Sequence, residues 1–303
     1  MSIKYGVVGL SKGNGHPFSW SIACNGFSQK NLNKIPFFRI RHYLPKYNLK
    51  FCRVNDAEVT HVWTQNYNYS KLISKACNIK NICKTLDELA SSVDAILFLR
   101  DDIEFREKYL IKLIKKGKPI YVDKYLHYDI KKVKSLLRLQ KFDGQIFTES
   151  PLVNNKKMIL SQEEQEKIGK IKLINSTVSG SWTKYGIHII EPILRYVKKK
   201  KINTTSLNKF RDITSLSIKW EDGLITNFNT VDGSLFKSSS EFIGSKSNKR
   251  IIWDLDYTFD DFFSTIRKFT YIVKNKSFKN NNNNNLLIAK IIQTGLNKNY
   301  KNV

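Results

Sequence analysis

Short apolar runs recur through the first half of the chain, each followed by a stretch that suits a helix. Ile3 to Leu10, Val59 to Thr64, Val93 to Leu99 and Ile120 to Val122 read as buried strands. Gln145 to Glu149 reads as the last of the set, and Ile79 to Cys83 as a short one. Helices are expected over Phe18 to Phe27, Tyr69 to Cys77 and Ile130 to Gln140. Thr85-Leu86-Asp87-Glu88 fits a capping box, and Ile103, Leu110, Ile111 and Ile114 mark the apolar side of a longer helix. Strands alternating with helices over short links leave few options, because parallel neighbours need a crossover. The pattern predicts a doubly wound parallel sheet.

Gly117-Lys118-Pro119-Ile120-Tyr121-Val122-Asp123-Lys124-Tyr125-Leu126 is the stretch with most to say about function. Gly117 suits a left-handed helix end, the apolar run is a strand, and Lys124 follows at its carboxyl end. In open α/β sheets that end is where ligands bind. The plainer reading is a solvated lysine in a lysine-rich chain.

The chain has 303 residues, 41% of them hydrophobic, with 18 Phe and 14 Tyr, so two domains with a sizeable core are feasible. No apolar run reaches the roughly 18 residues of a membrane span. The first residues read as a strand rather than an export signal, and a mature cytoplasmic chain is expected. Cys24, Cys52, Cys77 and Cys83 show no metal-ligand spacing and read as inert thiols; no metal site is expected. The net charge of +26 raises nucleic-acid binding as a possibility. The charge is spread along the chain, however, and Asn is enriched beside Lys, as in Asn280 to Asn285. A compositional bias explains both, so nucleic acid is not the expected partner. Lys198 to Lys201, the densest run, reads as a solvated helix end.

The first strand feeds Gly9-Leu10-Ser11-Lys12-Gly13-Asn14-Gly15-His16-Pro17. Glycines there can bring backbone N–H groups to a phosphate, which makes Gly9, Leu10, Gly13, Asn14 and Gly15 candidate cofactor contacts. The spacing is not G-x-G-x-x-G, and a flexible strand-to-helix loop is the alternative. Residues 28–58 carry Pro36 and Pro45 among basic and aromatic residues and read as an insertion or lid. A dinucleotide fold that prefers NAD usually has an acid at the end of its second strand. Here that end reads Thr64-Gln65-Asn66, which leaves NADP open without excluding NAD.

Val93-Asp94-Ala95-Ile96 on a strand, a helix, and then Gly-Lys-Pro-Ile-Tyr-Val-Asp-Lys resemble the glucose–fructose oxidoreductase / inositol dehydrogenase / MocA family. In that family Gly-Lys precedes a strand that ends in Glu-Lys-Pro, and the lysine contacts both nicotinamide and the substrate hydroxyl. Lys124 matches that lysine, Asp123 takes the Glu position and Tyr125 the Pro position. Further on, Lys184-Tyr185-Gly186-Ile187-His188-Ile189-Ile190-Glu191 resembles the family's Asp-x-Gly-x-His-x-x-Asp segment, whose histidine starts a helix facing the nicotinamide. Gly186 and His188 match, Glu191 stands for the final Asp, and Lys184 replaces the first. The resemblance spans roughly residues 3 to 275 and marks a divergent branch.

The second half reads as strands over Ile168 to Gly180, Ile213 to Trp220, Leu224 to Thr230 and Ile251 to Trp253. Helices are expected over Gln162 to Lys167, Glu191 to Lys199 and Phe259 to Val273. The Asn run reads as a loop or disordered segment, and Leu286 to Leu296 as a closing helix. The expected fold is therefore α/β. A Rossmann-type domain over residues 1–124 precedes an α+β domain with a mostly antiparallel open sheet over residues 125–285, and the helix in 286–303 returns to the first domain. The open sheet has a face free for substrate or a partner subunit, and a homo-oligomer through it is expected.

The resemblance implies an NAD- or NADP-dependent oxidoreductase acting on a sugar, cyclitol or nucleotide-sugar alcohol or ketone. A histidine, with its ordinary pKa of about 6.5, suits the hydroxyl proton better than a lysine at about 10.4. His188 is therefore the expected acid/base, Lys124 the group that orients and polarises the substrate oxygen, and Tyr185 a further donor. Thr64, Arg100, Asp101 and Lys124 join the glycine loop as candidate cofactor contacts; for Arg100 and Asp101 an ordinary polar loop is the alternative. The competing function is a Rossmann-type protein that binds a nucleotide or sugar without turning it over.

Overall fold

The structure, a computed structural model, describes residues 2–46, 54–253 and 259–296. The chain divides into two compact units. The first comprises Met1–Leu126, Lys134–Glu149 and Phe259–Asn282, and the second His127–Val133, Ser150–Thr258 and Asn283–Val303. This division differs from a boundary at residue 124. Residues 134–149 and 259–282 fall in the first unit, and the closing helix falls in the second.

The first unit holds strands β1 (Ile3–Val8), β2 (Ala57–Trp63), β3 (Asn81–Ile82), β4 (Ala95–Phe98), β5 (Ile120–Asp123) and β6 (Ile146–Glu149). They form a parallel sheet in the order β3-β2-β1-β4-β5-β6, the doubly wound arrangement expected from the alternation. Its helices are α1 (His16–Asn25), α2 (Phe38–Tyr43), α3 (Tyr67–Ala76), α4 (Leu86–Ser92), α5 (Ile103–Ile114) and, late in the chain, α10 (Phe259–Lys274). α6 (Ile130–Arg138) carries the chain towards β6. Gly117 ends the α5 segment with φ +70°, as a left-handed cap requires. Gly6 lets α4 approach the sheet closely: a Cβ there would lie 2.5 Å from Leu89 Cδ2.

Aromatic side chains build one face of this core. Trp20 of α1 lies 4.2 Å from Tyr121 of β5 and 5.5 Å from Phe262 of α10, centroid to centroid. Phe269 of α10 stacks on Phe147 of β6, and Tyr5 of β1 hydrogen-bonds Thr270 at 3.0 Å. α1 is buried on every side, from Pro17 to Cys24. The described part of the 28–58 segment explains that. Leu32, Ile35, Ile40 and Leu44 are buried in the same cluster as Phe18 and Trp20. This part is core, not a detachable lid; residues 47–53 lie outside the described residues.

The second unit holds α7 (Gln162–Ile168), α8 (Trp182–Tyr185), α9 (Ile187–Ile193) and α11 (Asn282–Leu296). Its strands are β7 (Ile171–Ser179), β8 (Ile202–Phe210), β9 (Ile213–Trp220), β10 (Ile225–Val231), β11 (Ser238–Gly244) and β12 (Asn248–Trp253). The sheet order is β12-β11-β7-β10-β9-β8, antiparallel except for β7 against β10. Burial alternates along β7, β9, β10 and β11. Ile174, Ser176, Val178, Phe228, Leu216 and Ile218 are buried, while Asn175, Thr177, Asn227, Asn229, Ser215 and Ser217 on the opposite face are half-buried.

Four sequence readings of this unit change. β8 and β11 were not anticipated. The helix expected over Glu191 to Lys199 starts earlier, at Ile187, and gives way to a 3₁₀ turn at Leu194–Tyr196. Asp222 accepts from the N–H groups of Lys198 and Lys199, so Lys198 to Lys201 leads into β8 rather than ending a helix. Asn282 to Asn285 are helical: the Asn280 side chain accepts from the Asn282 N–H and starts α11. Among the described residues no helix is long and apolar enough to cross a membrane, and no cluster could hold a metal ion. Cys24, Cys77 and Cys83 are buried, and burial pushes the Cys83 thiol up to about 11. Cys52 lies outside the described residues.

Candidate active site

The carboxyl ends of β1, β4 and β5 bring most of the expected residues of the first unit together. Lys124 follows β5 directly and takes a left-handed conformation, φ +60°, uncommon for a residue with a Cβ. Its ammonium lies 3.4 Å from Asp101 Oδ2, and the two side chains are 12% and 11% exposed. The other oxygen of Asp101 accepts from the Ser11 hydroxyl, and the Asp101 N–H donates back to Ser11 Oγ at 3.1 Å. Burial alone would raise the Asp101 carboxyl, but Lys124, the Ser11 hydroxyl and His16 more than offset it and hold the group below its usual range.

Asp123 is fully buried. His16 Nδ1 donates to its Oδ2 at 2.6 Å, and Asn14 Nδ2 donates to the same oxygen at 3.3 Å. Its Oδ1 has no partner among the described residues. Burial opposes the charge, yet His16, Lys124 and Arg106 hold this carboxyl far below the usual range, so it is ionised. His16 was read only as part of the loop. The signal available was a His-Pro pair at the first turn of a helix, directly after the glycines.

Arg106 is the other residue that the sequence did not reveal. On α5 it reads as one more surface cation, yet it is 1% exposed. Its guanidinium donates to the carbonyls of Arg100, Asp123, Tyr125 and Leu126. Those bonds clamp the turn that carries Lys124, and the Thr148 hydroxyl holds the Lys124 carbonyl from β6. Tyr125, in the family's Pro position, is buried here.

The glycine loop fits an anionic ligand. The backbone N–H groups of Ser11, Lys12 and Gly13 have no partner among the described residues, and they precede the N-terminus of α1. Gly13 takes φ +78° with open space where a Cβ would be, and a Cβ on Gly9 would come within 2.9 Å of Pro17. Gly15 is required by packing, since a Cβ would lie 2.6 Å from Ile40 Cδ1. Leu10 is fixed by Gln65, which accepts from its N–H at 3.0 Å and donates to its carbonyl at 2.7 Å. Arg100 bonds Gln65 at 2.7 Å, pairs with Asp102 and lies under the Tyr109 ring. Thr64 is buried, and its hydroxyl donates to the Asn66 carbonyl at 2.6 Å.

In the second unit His188 is the second residue of α9 and is 8% exposed. Its Nδ1 hydrogen-bonds the Ser150 hydroxyl at 2.8 Å, and the Ser150 N–H donates to Glu191 at 2.6 Å. Glu191 thus braces the residue that orients the imidazole. The Tyr185 ring lies 6.0 Å from His188 and packs on Gly180, where a Cβ would collide with it at 2.3 Å. Lys184 is exposed.

No protein-family model matches the chain, and no curated protein sequence matches it. Solved structures do. Scyllo-inositol dehydrogenase from Lactobacillus casei, with bound NAD(H) and scyllo-inositol, is 14% identical; the match covers 96% of this chain and 95% of that one, with TM-score 0.72. Myo-inositol 2-dehydrogenase from Lactobacillus plantarum is 12% identical, over 98% and 96%, with TM-score 0.72. A myo-inositol dehydrogenase from Corynebacterium glutamicum is 11% identical, over 97% and 95%, with TM-score 0.71. At such identities the likeness concerns architecture: the chain has the fold of the inositol dehydrogenases, with a Rossmann-type sheet followed by a mostly antiparallel one.

Proposed function

We propose that the chain is a nicotinamide-dependent oxidoreductase acting on a sugar, cyclitol or nucleotide-sugar alcohol or the matching ketone, a divergent relative of the inositol dehydrogenases. The observation that carries the reading is Lys124. It sits in a left-handed turn at the rim of β5, clamped by a buried arginine, in the same unit as a glycine loop with unpartnered N–H groups. A bound nicotinamide supplies the hydride acceptor. The loop from Gly9 to Gly15 holds the cofactor's phosphates, and Arg100 and Asp101 border its ribose. Lys124 orients and polarises the substrate oxygen. His188, its ring fixed by Ser150, takes or returns the hydroxyl proton, and Tyr185 is a further donor. The end of β2 carries no acid, so NADP is as admissible as NAD. A second reading, binding without turnover, draws on Lys184, where the resembled segment has a carboxylate.

The test is hydride exchange with NAD and NADP against a panel of cyclitols and sugars. His188→Ala should lower turnover by about 100-fold or more. Lys124→Ala should raise KM and lower kcat together. Turnover unchanged in both variants would exclude the assigned roles, and a chain that binds the cofactor but turns over nothing would favour the second reading.

Two copies of the chain are proposed to pair through the half-buried face of the second sheet. Ile225 and Ile213 stand exposed on that face beside the Asn and Ser rows. Sedimentation should give a dimer or larger, and Ile225→Glu should shift it towards monomer with the fold intact.

A further inference from the structure

Oxidising an alcohol with a nicotinamide releases one proton for each hydride moved, and that proton must reach water. The first unit contains an imidazole built for such traffic. His16 Nδ1 donates to Asp123 Oδ2 at 2.6 Å, and a carboxylate only accepts, so Nδ1 carries the proton. Nε2 therefore holds the lone pair in the neutral ring, and no described residue hydrogen-bonds it. The ring is 21% exposed and Asp123 is 0% exposed, so Nδ1 is anchored to a buried carboxylate while the ring itself is partly open to water. Phe262 packs an edge against the ring at 5.4 Å and limits its rotation.

We infer that His16 is the group through which this site exchanges its proton with water. The inference rests on the oxidoreductase reading above. In the oxidative direction the hydroxyl O–H bond breaks, its electron pair forms the carbonyl, and the carbon's hydride leaves to the nicotinamide. The freed proton, taken first by His188 as proposed above, is relayed to Nε2, where Asp123 stabilises the imidazolium, and departs to water or buffer; reduction runs the same path backwards. The charged neighbours are Asp123 at the end of β5, Lys124 directly after it, Asp101 beyond β4 and Arg106 on α5. A phosphate contact and a purely architectural role are the rival assignments for this ring, and the two measurements below separate them from proton exchange.

Two measurements on the full chain decide the matter. Nitrogen-15 spectra of the free protein, with His16 assigned through His16→Gln, should show the neutral ring protonated at Nδ1. A neutral ring protonated at Nε2 overturns the inference without any assay. In hydride exchange, His16→Gln should lower turnover by about 10-fold to 100-fold in dilute buffer. Raising the concentration of imidazole buffer should restore most of the loss, while the cofactor dissociation constant, read by nicotinamide fluorescence, stays within about twofold. A variant as fast as the parent, or one altered only in cofactor affinity, overturns the inference and leaves the oxidoreductase reading standing. A parent chain that turns over no member of the panel overturns that reading, and this inference with it.

Discussion

Asp123 shows how much a single buried charge can organise. It accepts from His16 and Asn14, precedes Lys124 and gives its backbone carbonyl to Arg106. Its folded carboxyl stays ionised at acidity where the unfolded chain, with an ordinary Asp pKa of about 3.9, takes up a proton. The sign follows: this stability is fully present above about pH 4 and is lost as pH falls towards the depressed folded value. Asp123→Asn should cost about 3–5 kcal/mol at neutral pH, because it breaks the buried pair with His16 and removes the negative charge that faces Lys124 and Arg106. It should also flatten the loss of stability below about pH 4. Urea denaturation at several pH values reads both. A variant with the parent's acid limb would show that other carboxylates produce it. Lys124 was legible in sequence because a glycine, a proline and an apolar run frame it. Arg106 and His16 were not, because a helix cation and a loop histidine look alike whether they meet solvent or a buried carbonyl and carboxylate.

At the scale of elements, legibility followed burial. Strands of the first sheet are buried on both faces, so their apolar runs stand out; the hairpin of β9 and β10 shows instead through alternation, with one face buried and the other half-buried. β8 is an edge strand with polar residues at most positions, and β11 begins with three serines, so neither carries an apolar period. The stretch after α1 misled for another reason. Its prolines and cations suggest a surface loop, while four spaced aliphatics, Leu32, Ile35, Ile40 and Leu44, reach the core. Ile40→Ala should therefore cost about 2–4 kcal/mol. Phe38→Ala, on a side chain 70% exposed, should fall within about 0.5 kcal/mol. Equal small effects at the two positions would restore the lid reading. Gly15 ties this element to the loop before α1, so Ile40 also sets how closely that loop packs.

At the scale of the molecule, neither unit is a single run of sequence. The first unit is complete only when the chain returns, more than a hundred residues after β6, to lay down α10. Phe259, Phe262, Phe263, Ile266 and Phe269 of that helix are all buried. A fragment ending at Glu149 would keep every strand of the parallel sheet and lose the cover over Tyr5, Trp20, Tyr121 and Phe147. Such a fragment is expected to aggregate or to bind a hydrophobic dye, while the same fragment joined by a short linker to residues 259–282 should fold cooperatively by calorimetry. A ribosome making this chain therefore finishes the nucleotide-type half after it has made most of the other. Until those last aromatics emerge, the nascent sheet carries a bare greasy flank that a chaperone would have to shelter.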